Sequence, residues 1–327
     1  MQYTNLGRSG LRVSRLALGT MNFGMTADAE SSHAILDEAV AQGINLIDTA
    51  DVYGGPQRPD MDMGYGISEE IIGRWLQKTG RRDEIVLATK LYQPMGLGPN
   101  DRRLSAYHIK RAAEASLRRL GTDHVDLYQM HHVDRSTPWE EIWQAMEQLI
   151  RDGKITYVGS SNFAGWDIAT AQAVADRRGV FGLVSEQSLY NLTARAVELE
   201  VVPALRYHGI GLIPWSPLAG GLLAGSLAKA GTGRRAQGQV QDRLSALRPR
   251  IEAYEALARD LGELPADLAL AWLLQQPAVT ATIIGPRTVE QLKATRRVLE
   301  ITLDEATLRR LDEIWPGPGS APEAYAW

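Results

Sequence analysis

The chain predicts an α/β fold: a closed (β/α)8 barrel of the TIM type, with an N-terminal β-hairpin and an extra C-terminal helix. Three observations point there. Across 327 residues, eight short apolar segments each precede a segment with helical spacing. The apolar segments do not alternate with polar residues, so both of their faces are covered, as in a parallel sheet. No G-x-G-x-x-G follows the first segment and no G-x-x-x-x-G-K occurs, which argues against an open, doubly wound nucleotide-binding sheet.

Residues 3–16 read as a hairpin, with Gly7-Arg8-Ser9-Gly10 as the turn and Leu11, Val13 and Leu16 on the returning arm. A strand over 16–18 ends at Gly19-Thr20. The helix over 28–42 carries Ile35, Leu36, Ala39 and Val40 at helical spacing and stops at Gly43. The strand over 44–47 runs into Asp48, and Tyr53 follows in a glycine-bounded loop. A helix over 69–78 (Ile71, Ile72, Trp75, Leu76) leads to a strand over 85–88 that ends in Thr89-Lys90. The helix over 105–120 stops at Gly121, and the strand over 125–130 ends at His131.

The alternation continues with a helix over 138–151, stopped at Gly153, and a strand over 155–159 ending in Ser160-Ser161-Asn162. A helix over 166–178 precedes a strand over 183–185 that ends in Glu186-Gln187. A helix over 196–207 precedes a strand over 211–214 that ends in Trp215-Ser216. Residues 218–248 read as irregular and rich in Gly, Ala and Arg. Helices over 251–261 and 265–275, a last strand over 279–284, a crossover helix over 289–297 and the extra helix over 304–314 complete a single domain over 1–327.

Composition narrows the function classes. The hydrophobic share is 44% and the formal net charge −4, so a large core forms and no basic footprint for nucleic acid exists. The absence of cysteine excludes a disulfide scaffold, a thiol nucleophile and a thiolate metal site, and suits the cytoplasm. The first residues carry no signal pattern and no uncharged apolar run reaches spanning length, so no membrane partner is expected. The sequence does not choose between monomer and homo-oligomer.

In a (β/α)8 barrel the active site forms at the C-terminal ends of the strands. Those ends carry Gly19-Thr20-Met21, Asp48, Lys90, His131, Ser161-Asn162, Glu186-Gln187, Trp215-Ser216 and Gly285. Asp48, Lys90 and His131 fall on neighbouring strands, with Tyr53 in the loop beside them. That set suits reduction of a carbonyl by hydride, where negative charge develops on oxygen and a positioned acid supplies a proton. Tyr53 is the acid if its pKa is lowered by a nearby cation; Lys90 is that cation, and Asp48 keeps it charged. His131 binds the substrate oxygen or helps relay the proton. No step requires a metal.

Leu6-Gly7-Arg8-Ser9-Gly10, Leu18-Gly19-Thr20-Met21-Asn22-Phe23-Gly24 and Leu46-Ile47-Asp48-Thr49-Ala50-Asp51-Val52-Tyr53-Gly54 resemble aldo-keto reductase motifs. So do Leu87-Ala88-Thr89-Lys90, Asp126-Leu127-Tyr128-Gln129-Met130-His131, Val158-Gly159-Ser160-Ser161-Asn162-Phe163 and Gln187-Ser188-Leu189-Tyr190-Asn191. Trp215-Ser216-Pro217-Leu218 and Gly285-Pro286-Arg287-Thr288-Val289-Glu290-Gln291 complete nine motifs in order, covering essentially the whole chain. The branch that is most similar includes bacterial general-stress reductases and potassium-channel β-subunits. The resemblance implies that NADP(H) is the cofactor, that a small-molecule carbonyl compound is the substrate, and that Tyr53, Asp48, Lys90 and His131 are catalytic. It implies that Ser161, Asn162 and Gln187 bind the nicotinamide carboxamide and that Trp215 stacks on its ring. Gly19, Thr20, Met21, Asp48, Ser216, Pro217 and Gly285 join the implied cofactor-binding set. Leu218, Gly220 and Leu222 begin a loop that would fold over the pyrophosphate, helped by Arg234, Arg235 and Arg243 within 218–248. Arg287 and Gln291 are the implied contacts of the adenosine 2′-phosphate. Ala294 and Thr295 stand where the family often has Glu and Asn, a departure that bears on adenine contacts.

Three rival readings remain at the level of sequence. Glu186 and Asp48 make a carboxylate pair for a glycoside hydrolase. His131, His132 and Asp134 make a metal-hydrolase set, weakened because neighbouring strand residues point to opposite sides. A cofactor-binding sensor or regulatory subunit is the third. For the substrate pocket, the loop over 54–66, with Met63 and Tyr65, is a candidate wall, as are Tyr92, Trp166 and the tail from Pro316 to Trp327.

Overall fold

The computed structural model describes residues 1–55, 61–228 and 238–326. Strands β1 (Tyr3–Asn5) and β2 (Arg12–Ser14) pair antiparallel as the expected hairpin, with Tyr3 opposite Ser14. Leu6 and Val13 are fully buried against Ala17, Leu46, Leu127 and Val184, so the hairpin plugs the N-terminal end of the barrel. The turn needs glycine at position 7. There φ is +55°, and a Cβ would meet Val184 O at 2.6 Å and Gly209 O at 2.7 Å.

The barrel alternates β3 (Leu16–Gly19), α1 (Ala29–Ala41), β4 (Leu46–Asp48), α2 (Ile67–Thr79), β5 (Val86–Leu91), α3 (Ala106–Leu120), β6 (Val125–Met130) and α4 (Trp139–Arg151). It continues with β7 (Ile155–Ser161), α5 (Gly165–Arg178), β8 (Leu183–Gln187), α6 (Val201–His208), β9 (Gly211–Leu212), α7 (Gly238–Asp260), α8 (Pro265–Gln275), β10 (Thr282–Ile284) and α9 (Val289–Thr295). All sheet pairings are parallel, in the order β10-β3-β4-β5-β6-β7-β8-β9. The ring closes where Thr280 N donates to Leu212 O at 2.8 Å and Ile283 N donates to Pro214 O at 3.1 Å. Inward residues such as Ala17, Leu46 and Leu127 fill the barrel, while outward ones such as Leu18, Ile47 and Leu87 pack under the helices. That two-sided burial is why the strands read as unbroken apolar runs.

Side-chain caps set several helix starts. Asp28 accepts from Ser31 N, Ser105 from His108 N and Thr288 from Gln291 N. Helices α10 (Glu305–Ile314), capped by Asp304, and α11 (Glu323–Ala326) follow the barrel. Among the described residues, no helix is long and apolar enough to cross a membrane.

Several boundaries depart from expectation; the strand expected over 211–214, for one, is only Gly211–Leu212. The helix over 196–207 is a 3-10 turn, Ala196–Glu198, followed by α6. Pro203 has no N–H to donate to Leu199, so it fits only in a helix's first turn, and α6 starts at Val201. Residues 238–248, read as irregular, are the start of α7, which accommodates Pro249. The last strand is Thr282–Ile284, because residues 278–280 serve barrel closure instead. The crossover helix ends at Thr295 and continues as a 3-10 turn, Arg296–Glu300. Gly231, Gly233, Arg234, Arg235 and Trp327 lie outside the described residues, as does 56–60 of the candidate wall.

Candidate active site

Asp48 ends β4 and Lys90 lies near the end of β5, in adjacent paired strands. Lys90 is fully buried, and its ammonium meets three acceptors: Asp48 Oδ2 at 2.5 Å, Thr49 O at 2.9 Å and the Tyr53 hydroxyl at 3.2 Å. An ammonium has three protons, so a charge that burial would otherwise penalise is fully satisfied. The second Asp48 oxygen accepts from Gln129 Nε2 at 2.9 Å and Gln187 Nε2 at 2.8 Å. Thr20 Oγ1 donates to Asp48 O at 3.0 Å, and Ser68 ties Thr20 to Thr49, anchoring the loop that carries Tyr53.

Burial works against the Lys90 charge, but attraction to Asp48 and Tyr53 outweighs it and raises its pKa. Burial likewise raises the Tyr53 pKa, and Lys90 offsets only part of that rise. The expected lowering of Tyr53 is therefore corrected: desolvation of a phenol in this site exceeds the pull of the cation, which Asp48 already partly neutralises. The phenol stays protonated at neutral pH.

His131 follows the last residue of β6, with its ring edge-on to Tyr53 at 5.8 Å and 79°. Burial first, then Lys90 and His132, hold its pKa well below the usual histidine range, so the ring is neutral. Its Nδ1 is buried without a hydrogen-bond partner among the described residues, and a proton there would be an unmet donor. Placing the proton on Nε2 leaves a donor for the cavity.

His132 stacks on His131 at 5.3 Å and 13°, and both rings line the cavity. The expected opposite orientation fails because both residues lie beyond the strand, where alternation no longer holds. The Asp134 carboxylate accepts from Leu104 N, Ser136 N and Thr137 Oγ1, clamping a loop away from the cavity. Glu186 also faces away. It is fully buried among Ser160 Oγ, Ser188 Oγ and Phe163 N, with its pKa pushed up to about 7 by burial. A glycosidase pair of Glu186 and Asp48 does not form.

One cavity of about 1050 Å³ runs from Asp48, Tyr53 and His131 to Arg287 and Gln291. Gly19, Thr20, Met21, Ser161, Asn162 and Gln187 line its inner part. Asn162, at φ +61°, accepts from Trp215 Nε1 at 3.0 Å and donates to His131 O at 3.1 Å, so three cavity residues are mutually fixed. Ser216, Pro217, Leu218 and Gly220 follow on the rim, with Ser216 and Gly220 in left-handed backbone. Leu222 does not reach the cavity. The 3-10 turn Ala219–Gly221 carries its side chain into the core, where it is 1% exposed. Gly285 lines the far end beside Asn22, whose Nδ2 a Cβ there would meet at 3.4 Å, and Gln291 Oε1 accepts from Arg287 N at 2.8 Å. The Arg287 guanidinium has no ion-pair or hydrogen-bond partner among the described residues. Ala294 and Thr295 line the same end.

Of the candidate wall residues, Tyr92 lines the cavity, joined by Met61. Met63, Tyr65 and Trp166 are exposed and outside it. Arg243 donates to Thr193 Oγ1 and is not part of the lining either. Gln129 was not anticipated; its only signal in the sequence is an amide inside an otherwise apolar strand end, two residues before His131.

The sequence profile of the Aldo/keto reductase family matches residues 15–316. The chain is 52% identical to the uncharacterized oxidoreductase YrpG of Bacillus subtilis, covering all of both chains. It is 35% identical to a probable voltage-gated potassium channel subunit beta of Arabidopsis thaliana, over 99% of this chain and 100% of the relative. It is 33% identical to versiconal hemiacetal acetate reductase of Aspergillus parasiticus, over 96% of each. With the barrel and its lined cavity in place, these matches settle the lineage: the chain belongs to the aldo/keto reductase family.

Proposed function

We propose that this oxidoreductase reduces an aldehyde or ketone to an alcohol, with NADPH as hydride source and Tyr53 as proton donor. The observation that carries the reading is the placement of the Lys90 ammonium 3.2 Å from the Tyr53 hydroxyl and 2.5 Å from Asp48, beside a neutral His131. Bound NADPH would supply a hydride to the carbonyl carbon. His131 Nε2–H holds the carbonyl oxygen, and Tyr53 hands that oxygen its proton as charge develops there. The carbon gains a C–H bond, the carbonyl π pair becomes the new O–H bond, and Tyr53 is left as a phenolate. Lys90 stabilises that phenolate until a proton from solvent restores it.

The cavity is large enough for a dinucleotide and a small substrate together. Asn162 and the Trp215 ring fit the nicotinamide end. Gln187, whose amide nitrogen is engaged by Asp48, offers its carbonyl oxygen there. The unpaired Arg287 guanidinium suits the 2′-phosphate geometrically. Met21, Met61, Tyr92 and Trp215 give the substrate end an apolar wall, favouring carbonyl compounds with an apolar or aromatic body. A cytoplasmic location belongs to the same proposal.

The similarity to a probable channel β-subunit favours a second reading, an NADP(H)-binding regulatory subunit with little turnover. A panel of aliphatic and aromatic aldehydes and ketones separates the two. NADPH oxidation that requires the carbonyl and yields the alcohol supports the reductase. NADPH binding without turnover on any member favours the regulatory reading, and no NADPH binding overturns both.

A further inference from the structure

Four rings stand in a row along one wall of the cavity. Tyr53 meets His131 edge-on at 5.8 Å, His131 stacks on His132 at 5.3 Å, and His132 meets Tyr92 edge-on at 5.4 Å. The chemical step of the reductase reading uses only the first two, and Tyr92 enters that reading only as part of the wall. His132 is partly accessible through the cavity it lines, and burial lowers its pKa, so it is a neutral imidazole with one donor and one acceptor. Neither ring nitrogen has a hydrogen-bond partner among the described residues, nor does the Tyr92 hydroxyl. Tyr92 also holds φ +132°, a conformation side chains rarely adopt, secured where its carbonyl accepts from Arg103 N at 2.7 Å. Strain of this kind survives only where the surroundings impose it, and it clusters at ligand sites.

We infer that His132 and the Tyr92 hydroxyl form a second polar subsite that binds a hydroxyl group on the carbon next to the substrate carbonyl. The inference rests on the carbonyl-reductase reading of the same cavity and names its preferred substrates as α-hydroxy ketones and α-hydroxy aldehydes. The stacked ring centres lie 5.3 Å apart, and both rings line the cavity. A carbonyl oxygen and an adjacent hydroxyl lie closer together than that. Two hydrogen bonds of ordinary length, about 2.9 Å, therefore converge from the two imidazoles onto one small molecule. Met21, Met61 and Trp215 offer a substrate hydroxyl no partner, whereas His132 and Tyr92 do. A site built to bond a hydroxyl also discriminates against the analogue that lacks it, because its polar groups are then left unmet.

Hydroxyacetone and butanone are nearly isosteric and differ in that hydroxyl, which makes them the test pair. Their intrinsic difference in reactivity cancels when the ratio of their kcat/KM values is compared between proteins. His132→Phe keeps a stacking ring and removes both nitrogens; it should lower the hydroxyacetone-to-butanone ratio about five- to tenfold, carried by KM for hydroxyacetone. Tyr92→Phe, which removes only the hydroxyl, should lower the same ratio. An unchanged ratio in both variants, or equal losses on both ketones, overturns the subsite. Should neither ketone be reduced by the unmutated protein, the carbonyl panel above still decides the reductase reading, and ligand-observed NMR of hydroxyacetone decides the subsite. Weaker binding to His132→Phe than to the unmutated protein upholds it, and equal binding overturns it.

Discussion

Gln187 Nε2 reaches from β8 across the barrel mouth to donate to Asp48 Oδ1 on β4 at 2.8 Å. Four places separate these strands in the eight-stranded ring, so the bond spans its full width. Asp48 is thereby held as a carboxylate from both sides, by Gln129 and Gln187 on one oxygen and Lys90 on the other. The position of the Lys90 charge under Tyr53 follows from that clamp.

Removing the cation should expose how much the clamp depends on it. Lys90→Met would leave a buried carboxylate without its counter-ion, at a cost of about 3–5 kcal/mol in urea unfolding. Adding Asp48→Asn should recover part of the loss. Additive losses in the double variant would show that the pair is not coupled.

Glu186 predicts a pH dependence of stability. Its folded pKa, about 7, lies above the usual 4.5, so the folded state holds the proton where the unfolded state has lost it. Its contribution is therefore fully present below about pH 4.5 and is lost as pH rises toward and through 7, to a total of about 3 kcal/mol. Glu186→Gln removes this term. The variant should gain stability relative to the unmutated protein between pH 5 and pH 8, measured by urea unfolding, and a pH-independent difference would contradict the assignment.

The barrel was legible because its strands are buried on both faces, which writes an uninterrupted apolar run such as 125–130 into the chain. Motif order placed Tyr53, Asp48, Lys90 and His131 together for the same reason: each sits at or just past a strand end. Directions beyond a strand end were not legible, and His131 and His132 turned to one side instead of two. Glu186 stood at a strand tip yet turned outward, toward two serine hydroxyls that only the fold brings to it. The sign of the Tyr53 shift was hidden because desolvation depends on what surrounds the phenol, which no local pattern encodes.

Trp215 should matter through its N–H as well as its ring. Trp215→Phe leaves Asn162 Oδ1 without its donor and frees a residue held at φ +61°. NADPH affinity, measured by fluorescence titration, should fall about three- to tenfold. Unchanged affinity would mean that Asn162 does not contact the cofactor.

Arg287 carries the expectation of NADPH preference. The unmutated protein should bind NADPH more tightly than NADH by about 1–3 kcal/mol, and Arg287→Ala should shrink that margin. Equal affinities before mutation would remove Arg287 from the 2′-phosphate site.

The most direct measurement is single-turnover reduction by Tyr53→Phe with NADPH bound. The substitution keeps the ring beside His131 and Lys90 and deletes only the hydroxyl that lies 3.2 Å from the ammonium. The chemical step should slow by about two orders of magnitude or more while NADPH affinity is retained. A chemical step near the unmutated rate would contradict Tyr53 as the proton donor.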